Sequence, residues 1–259
     1  MRIKLSDVAA RAGVSEATVS RVMNARDGVA VETRQHVLAV LGDMGYEPPG
    51  LREASQVGLV GLVLPELDNP IFPAYAQAME SRLLTRGFVT ILCCAGRSRA
   101  SEDDYVPTLV EHGVAGLMIV SGRHADLDGD HEIYRRLHRR RFPMVLVNGE
   151  VPGLDVPSVS SDEVHAATVA VEHLTHLGHR RIGLLVGPTH YLPVVRRLDG
   201  FRAAVAALEL DDDPELVVTT MFTVEGGRYG ARQLLDAGAT GIIAANDVMA
   251  LGAIRAVRD

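Results

Sequence analysis

Residues 5–24 read LSDVAARAGVSEATVSRVMN, and this stretch predicts two short helices around a tight turn. Apolar residues recur at helical spacing in each half, and Ser6 is the predicted N-cap of the first helix. Gly13 supplies the left-handed backbone that ends that helix. Ser15 is the predicted N-cap of the second helix, with apolar residues around it at the spacing of a hydrophobic staple. Helix, glycine-containing turn and helix are typical of the helix-turn-helix, whose second helix enters the major groove of DNA.

The outward face of the second helix carries the side chains that could meet DNA. Arg21 suits bidentate contact with guanine, and Ala17 suits contact with a thymine methyl group. Glu16 could accept a hydrogen bond from cytosine, but a carboxylate in the first turn also stabilises the helix dipole without any DNA. The hydroxyl and amide side chains suited to phosphate contacts are those of Ser15, Thr18, Ser20 and Asn24.

Residues 31–42 predict a third helix, and Thr33 and Arg34 at its start suit phosphate contacts. The predicted head, residues 1–47, carries six Lys or Arg and six Asp or Glu residues. The head is therefore neutral overall. Its affinity for DNA must come from the placement of these charges and from two heads that act together.

From residue 57 the pattern changes to short apolar runs that alternate with helical stretches. The runs VGLVGLVLP, GFVTILCC, VAGLMIV and FPMVLVN predict buried parallel strands with right-handed crossovers. The proline-rich block VPGLDVPSV reads as a crossover, after which the strands RRIGLLVG, LVVTT and TGIIAA follow in a second lobe. The predicted domains are a head at 1–47, a hinge linker at 48–56, a first lobe at 57–155 and a second lobe at 156–259.

Two such lobes form a cleft, and ligands bind outside the carboxyl ends of strands at such junctions. Aromatic, amide and guanidinium groups near those ends suit stacking and bidentate hydrogen bonding of a sugar. An Asn or Phe at a strand end is also commonly a simple turn or core residue. The candidate effector-binding residues are Asn69, Phe72, Asn148, Arg197, Phe222 and Asn246.

Composition points to a globular protein, because the 259 residues are 47% hydrophobic and 23% charged. No run approaches the roughly 20 apolar residues of a membrane span. The start, MRIKLSDVAA, lacks the apolar region of a secretory signal, so we expect a cytoplasmic protein without membrane contact. The formal charge of −7 disfavours non-specific binding of nucleic acid by the whole molecule.

The sequence contains no nucleophile elbow, P-loop or glycine-rich nucleotide fingerprint. Cys93 and Cys94 are adjacent on a predicted strand and point to opposite faces, which disfavours a disulfide or a metal site. His173 and His176 lie three residues apart, but no carboxylate or cysteine is placed to complete a set of metal ligands. We therefore predict no catalytic residue, no metal and no cofactor.

The segment DVAARAGVSEATVSRVMN resembles the DNA-binding signature of the lactose-repressor (LacI/GalR) family of bacterial transcription regulators. EHLTHLGHRRIGLLVG, RRLDGFRAA and GIIAANDVMALGAIRA look like the sensor domain of that family, which is similar to periplasmic sugar-binding proteins. The resemblance implies an all-α head followed by a two-lobed α/β parallel-sheet domain. It also implies a homodimer on a pseudo-palindromic double-stranded DNA operator, with Arg21 reading bases and Arg197 and Asn246 contacting the effector.

The chain departs from the family pattern at several places. Ala30 stands where the family usually has a serine N-cap for the third helix, a loss of about 1 kcal/mol. The linker PGLREASQ is short, and the leucine that the family wedges into the minor groove falls on Ser55, with Leu51 as a substitute. The second lobe has about three strands after the crossover and stops at Asp259 within a helix. We therefore expect an incomplete second lobe without the acidic pocket residue of the family's last segment.

The alternative is a sugar-binding module or an α/β enzyme with an incidental helical cap and no specific DNA recognition. The missing secretory signal disfavours an exported binding protein, and the missing catalytic set disfavours an enzyme. We therefore predict a DNA-binding transcriptional regulator, a repressor controlled by a carbohydrate effector. Its dimer interface is expected to use the first-lobe helix PIFPAYAQAMESRLL.

Overall fold

The computed structural model describes residues 4–24, 26, 28–44, 58–95 and 101–258. The chain folds as two compact units, Met1–Gly58 and Leu59–Asp259. The predicted linker, with Leu51 and Ser55, lies outside the described residues. Within the described ranges, no helix combines the length and the apolar character that a membrane crossing requires.

The head contains the three predicted helices, α1 (Leu5–Ala12), α2 (Glu16–Met23) and α3 (Val31–Asp43). Gly13, with a φ of 65°, ends α1 in the left-handed conformation, as predicted. The prediction of Ser6 as the N-cap of α1 was wrong. The N-cap is Lys4, two residues earlier, because the carbonyl of Lys4 already accepts the amides of Asp7 and Val8.

Apolar side chains from all three helices form the core of the head. Val19, Val37 and Leu41 are each at most 1% exposed, and Val8 and Val22 pack in the same cluster. Fully burying one such side chain contributes roughly 1.5–3 kcal/mol, so a few residues suffice to fix how α2 lies against α1 and α3. The helical periodicity read from the sequence therefore sets which face of α2 remains outside.

The N-caps of α2 and α3 allow a direct test of capping. The Ser15 Oγ accepts the amide of Thr18 at 3.2 Å, whereas Ala30 occupies the same position before α3 without any side-chain acceptor. Ala30→Ser is expected to stabilise α3 by about 1 kcal/mol and to slow hydrogen exchange of the Val37 amide about fivefold. Ser15→Ala is the matched control and should destabilise α2 by a similar amount. Unchanged exchange in Ala30→Ser would contradict the assignment of the cap.

The first lobe is built on a five-stranded sheet in the order β2-β1-β3-β4-β5. β1 pairs with β3, β3 with β4, and β4 with β5, and all three pairings are parallel, as the strand–helix alternation predicted. The strands are β1 (Gly58–Leu64), β2 (Phe88–Cys94), β3 (Gly116–Val120), β4 (Met144–Val147) and β5 (Ser158–Val159). The helices are α4 (Ile71–Leu84), α5 (Glu102–Glu111) and α6 (Glu132–Arg139).

The predicted crossover VPGLDVPSV contributes a strand of its own. Ser158 pairs with Leu146 and Val159 pairs with Val147, so β5 extends the first sheet beyond the predicted lobe boundary at residue 155. The pairing needs only backbone amides and carbonyls, and an edge strand of two residues is too short to show a hydrophobic periodicity in the sequence.

The second lobe has a three-stranded parallel sheet in the order β7-β6-β8 among the described residues. All five residues of the central strand β6 are buried. The strands are β6 (Ile182–Val186), β7 (Val217–Thr219) and β8 (Gly241–Ala244). The helices are α7 (Glu163–His176), α8 (Leu192–Ala207), α9 (Val224–Asp236) and α10 (Asp247–Arg258).

A glycine brings α7 and α8 into close contact. A Cβ on Gly200 would lie 2.7 Å from the Cα of Val164, closer than any side chain tolerates. The start of α7 therefore packs directly against the backbone of α8. This contact places Glu163 beside Arg197, with which it forms an ion pair.

Candidate functional site

The head presents the outward face of α2 as predicted. Val19 and Val22 are buried, while Glu16, Ala17 and Arg21 are exposed. These three exposed residues lie on one helix face together with the half-buried Ser20, so they could reach base edges at the same time. Their contacts with bases remain a prediction.

The polar residues at the ends of α2 shape the helix itself. The hydroxyl groups of Ser15 and Thr18 lie 2.9 Å apart, and Ser15 also caps the helix. Asn24 donates from Nδ2 to the carbonyl of Ser20 at 2.8 Å and ends the helix. These side chains fix both ends of α2, and their exposed positions remain open to the predicted phosphate contacts.

Arg34 and Thr33 lie at the start of α3, both half-buried. The Arg34 Nη2 donates to the carbonyl of Arg26 at 2.6 Å, which ties α3 to the turn after α2. A guanidinium has five N–H donors, so this bond is compatible with a phosphate contact by the others. The sequence did not indicate that Arg34 also holds α3 to this turn.

In the second unit, one cavity of about 280 Å³ collects every predicted effector residue. Its walls come from the loop after β1 and the start of α4, from the ends of β4 and β8, from α8, and from the segment between β7 and α9. The cavity thus lies at the carboxyl ends of strands in both lobes, where parallel sheets bind ligands. The residues brought together are Asn69, Phe72, Asn148, Arg197, Phe222 and Asn246.

The cavity contains a buried ion pair that could not be predicted from the sequence. Arg197 donates from Nη2 to the carboxylate of Glu163, and both side chains are largely buried. An acidic pocket residue was expected only in a later segment of the family, yet Glu163 already supplies a carboxylate here. Glu163 begins α7 and Arg197 lies on α8, so only the packing of these helices brings them together.

Two strained residues stand side by side on the cavity wall. Ser121 and Asn148 follow the neighbouring strands β3 and β4 and have φ angles of 45° and 62°. Non-glycine residues rarely adopt this region, and such strain tends to cluster at ligand-binding sites. The Asn148 Nδ2 donates to the Ser121 Oγ at 2.8 Å, so the two side chains form a fixed polar pair.

Aromatic side chains complete the wall. Tyr75 and Tyr191 join Phe72 and Phe222, which gives four rings around one cavity. The ring of Phe222 lies so close to Gly187 that a Cβ on this glycine would overlap it. Rings for stacking combined with amide donors and acceptors suit the apolar faces and hydroxyl groups of a sugar.

Asn246 both lines the cavity and caps a helix. Its Oδ1 accepts the amide of Met249 at 2.9 Å at the start of α10. This bond uses the side-chain oxygen, so the amide nitrogen remains as a donor for a ligand. The Oδ1 of Asn69 likewise accepts a backbone amide, that of Ile71, at 3.3 Å.

His124 is a fully buried histidine next to the cavity residue Ala125. Its Nε2 lies 3.2 Å from the carbonyl of Val147, which requires the proton on Nε2, and its buried Nδ1 has no partner among the described residues. Burial lowers the pKa of His124 to about 4, because a second proton on Nδ1 would add a charge without solvent or an acceptor.

This pKa predicts a loss of stability in mild acid. The pKa in the folded state lies below the unfolded value of about 6.5, so protonation favours the unfolded chain. The contribution is fully present above about pH 6.5 and is lost as the pH falls toward 4. Between about pH 7 and pH 5 the free energy of unfolding should decrease by about 2 kcal/mol from this group. Urea denaturation at both pH values measures it, and His124→Gln should show a smaller decrease; equal decreases would contradict the assignment.

Comparison with known proteins agrees with this organisation. Residues 4–49 match the family described as bacterial regulatory proteins, lacI family, and residues 58–259 match periplasmic binding proteins and the sugar binding domain of the LacI family. The chain is 46% identical over 263 residues to the HTH-type transcriptional regulator MalR of Streptomyces coelicolor. That alignment covers all of this chain and 76% of the relative.

Solved structures resemble the chain over nearly its whole length. The complex of the transcriptional regulator CelR with cellobiose matches 99% of this chain and 78% of its own, with 31% identity and a TM-score of 0.69. The lac repressor dimer bound to operator and the anti-inducer ONPF matches 100% of this chain and 78% of its own, with 27% identity and a TM-score of 0.75. The chain belongs to the LacI family of bacterial regulatory proteins, with a helix-turn-helix head followed by the periplasmic-binding-protein-like domain of that family.

Proposed function

We propose that this protein is a cytoplasmic repressor of transcription that binds a pseudo-palindromic operator as a homodimer and responds to a carbohydrate in its cavity. The observation that carries the proposal is the convergence of the six effector candidates on one cavity, in a chain whose head exposes Arg21 on its second helix. We further propose that the protein acts by binding alone, without catalysis.

The pairing of Arg197 with Glu163 in the cavity supports an uncharged sugar as the effector. The guanidinium of Arg197 is balanced by Glu163, so it presents hydrogen-bond donors without a net positive charge. The four rings and three asparagines add stacking surfaces and amide groups. The similar regulator CelR was solved as a cellobiose complex, which supports the same chemical class.

The surface of the first lobe supports dimerisation. No residue of α4 is fully buried, and Ile71 and Leu84 on this helix are 46% and 57% exposed. Val89 and Leu92 on the edge strand β2 add apolar surface. Exposed apolar groups that recur on neighbouring elements are typical of an interface. A dimer through α4 and β2 would join two neutral heads and give them the avidity that each lacks.

Coupling between sugar and DNA follows from the position of the cavity between the lobes of one unit. A sugar that contacts both walls favours one arrangement of the lobes over others. If the operator-binding dimer requires a different arrangement, the sugar lowers the affinity for DNA by its differential affinity for the two states.

Selection from random duplex DNA with the purified chain tests the proposal. We expect enrichment of one sequence with two half-sites related by a two-fold axis, because operator symmetry mirrors the symmetry of the dimer. A panel of uncharged mono- and disaccharides is then added to the selected complex. Failure to enrich any sequence, or enrichment of a single asymmetric site, would contradict the proposed mode of binding.

A further inference from the structure

The loop of residues 121–129, here named the bridging loop, connects β3 to α6 and also joins the two lobes. Ser121 and Ala125 of this loop line the cavity. Farther along, the amide of Leu127 donates to the carbonyl of His190 at 2.8 Å, and Asp126 forms an antiparallel bridge with Tyr191. The bridging loop therefore belongs to the first lobe but pairs with the backbone of the second.

The contact in the second lobe lies directly at the effector cavity. Tyr191 is the N-cap residue of α8, and its side chain lines the cavity. Arg197 follows on the same helix and contributes to the same wall. A shift of the bridging loop relative to the second lobe would therefore reach the cavity through the first turns of α8.

A buried carboxylate holds the other side of the bridging loop. Glu102 is 5% exposed, and its Oε1 accepts the amide of Arg123 at 2.7 Å. Its Oε2 accepts the hydroxyl of Tyr134, whose oxygen in turn accepts the amide of His124 at 3.1 Å. Burial raises the pKa of Tyr134 above its usual range, so the hydroxyl keeps its proton and remains a donor. One carboxylate and one hydroxyl thus fix two consecutive amides of the loop.

The packing around this anchor leaves little freedom. A Cβ on Gly122 would lie 2.9 Å from the Cδ of Glu102, so the loop backbone rests on the carboxylate. In addition, the Nε2 of His131 lies 3.1 Å from the carbonyl of Arg123 and 2.8 Å from that of Asp126. Polar groups that are buried and mutually bonded in this way stiffen a loop, because each unmade bond would be costly.

We propose that Glu102 and Tyr134 are positioning residues that hold the bridging loop against the second lobe and so transmit effector binding between the lobes. Neither residue lines the cavity, and both act through the loop backbone. The regulatory part of this inference rests on the proposed function; the mechanical part rests on the contacts of the loop alone. Because one lobe carries the anchor and the other carries the pairing partner, loosening the anchor should uncouple the lobes without removing any cavity side chain.

Hydrogen exchange on the full chain tests the mechanical part without any ligand. Tyr134→Phe removes the hydroxyl, so Glu102 loses a donor and the amide of His124 loses its acceptor. The loss of these two buried hydrogen bonds should speed exchange of the loop amides, including Leu127, about tenfold or more. Exchange within β6 should not change.

Ile133→Val trims the neighbouring core residue and is the matched control for a general loss of stability. Glu102→Gln should reproduce the effect of Tyr134→Phe. Equal exchange at Leu127 in the wild type and Tyr134→Phe, or an equal rise in Ile133→Val, would overturn the proposal.

Operator binding with and without an uncharged sugar tests the regulatory part. In Tyr134→Phe, the ratio of operator affinities without and with the sugar should move toward one, while binding without sugar remains close to wild type. A coupling ratio equal to wild type, despite faster loop exchange, would overturn the regulatory role. If the wild type itself shows no response to any sugar, the proposed function fails, and the exchange experiment still decides whether Glu102 and Tyr134 hold the loop.

Discussion

Arg21→Ala is expected to weaken operator binding about thirtyfold or more, with the fold of the head intact. Arg21 is exposed on α2 and makes no contact that the buried core of the head requires. A bidentate contact to guanine is worth about 1–3 kcal/mol at each half-site, and a dimer loses it twice. Fluorescence anisotropy with a labelled operator at fixed salt measures the loss, because affinity for DNA varies strongly with salt.

The matched control is Arg202→Ala, which removes the same charge from an exposed position of α8 in the second lobe. It should leave the operator affinity within about twofold of wild type, because a charge outside the DNA-binding head affects binding only through a screened field. Arg21→Ala should also relax the preference at one base pair in each half-site. Equal effects of the two substitutions would mean that Arg21 contributes only charge.

Arg197→Ala is expected to lower the stability of the second unit by about 3 kcal/mol and to abolish sugar binding. The substitution leaves the carboxylate of Glu163 largely buried without its partner, and an uncompensated buried charge is strongly destabilising. Urea denaturation near neutral pH measures the stability, and isothermal titration with a sugar that binds the wild type measures the binding.

The neighbouring residue supplies the control. Arg196 pairs with Glu150 at 2.7 Å, but these side chains are 33% and 47% exposed. Removing this solvated pair by Arg196→Ala should cost at most about 1 kcal/mol. Adding Glu163→Gln to Arg197→Ala should restore part of the stability, since no unpaired charge is then left. Equal losses in Arg196→Ala and Arg197→Ala would contradict the special role of the buried pair.

The head could be predicted well because its signals are local. Ser15 and Gly13 act through bonds to residues a few positions away, and the structure shows both. The N-cap of α1 was wrongly assigned to Ser6, because a serine near a helix start fits several positions of the first turn. Which carbonyl begins the helix depends on the backbone of Lys4, whose side chain gives no capping signal.

Residues of the candidate site could be predicted only where the neighbouring sequence indicates their position. Asn148 and Asn246 follow apolar strands, and the ends of parallel strands meet at one edge of a sheet. Glu163, Tyr191 and Ser121 were missed because their importance comes from partners on other elements. The pairing of Glu163 with Arg197 depends on how α7 and α8 pack against each other. The periodicity of a sequence does not indicate this packing.

The bridging loop could be predicted as a loop, but its contacts with other elements could not. Its sequence, SGRHADLDG, carries small and polar residues that indicate a loop and nothing more. Its connection to His190, and the anchoring of its backbone by Glu102, exist only after both lobes have folded. Strand β5 escaped prediction for a related reason, since its pairing with β4 uses backbone groups alone.

In the proposed function, a sugar in the cavity and an operator on the head each change the affinity of the protein for the other. The most direct measurement is the operator dissociation constant of the wild-type chain with and without a saturating sugar that binds the cavity. We expect the operator dissociation constant to change about 5- to 150-fold, and the sugar affinity to change by the same factor when operator is present. A sugar that binds the wild type but not Arg197→Ala, and that leaves the operator dissociation constant unchanged, would contradict it.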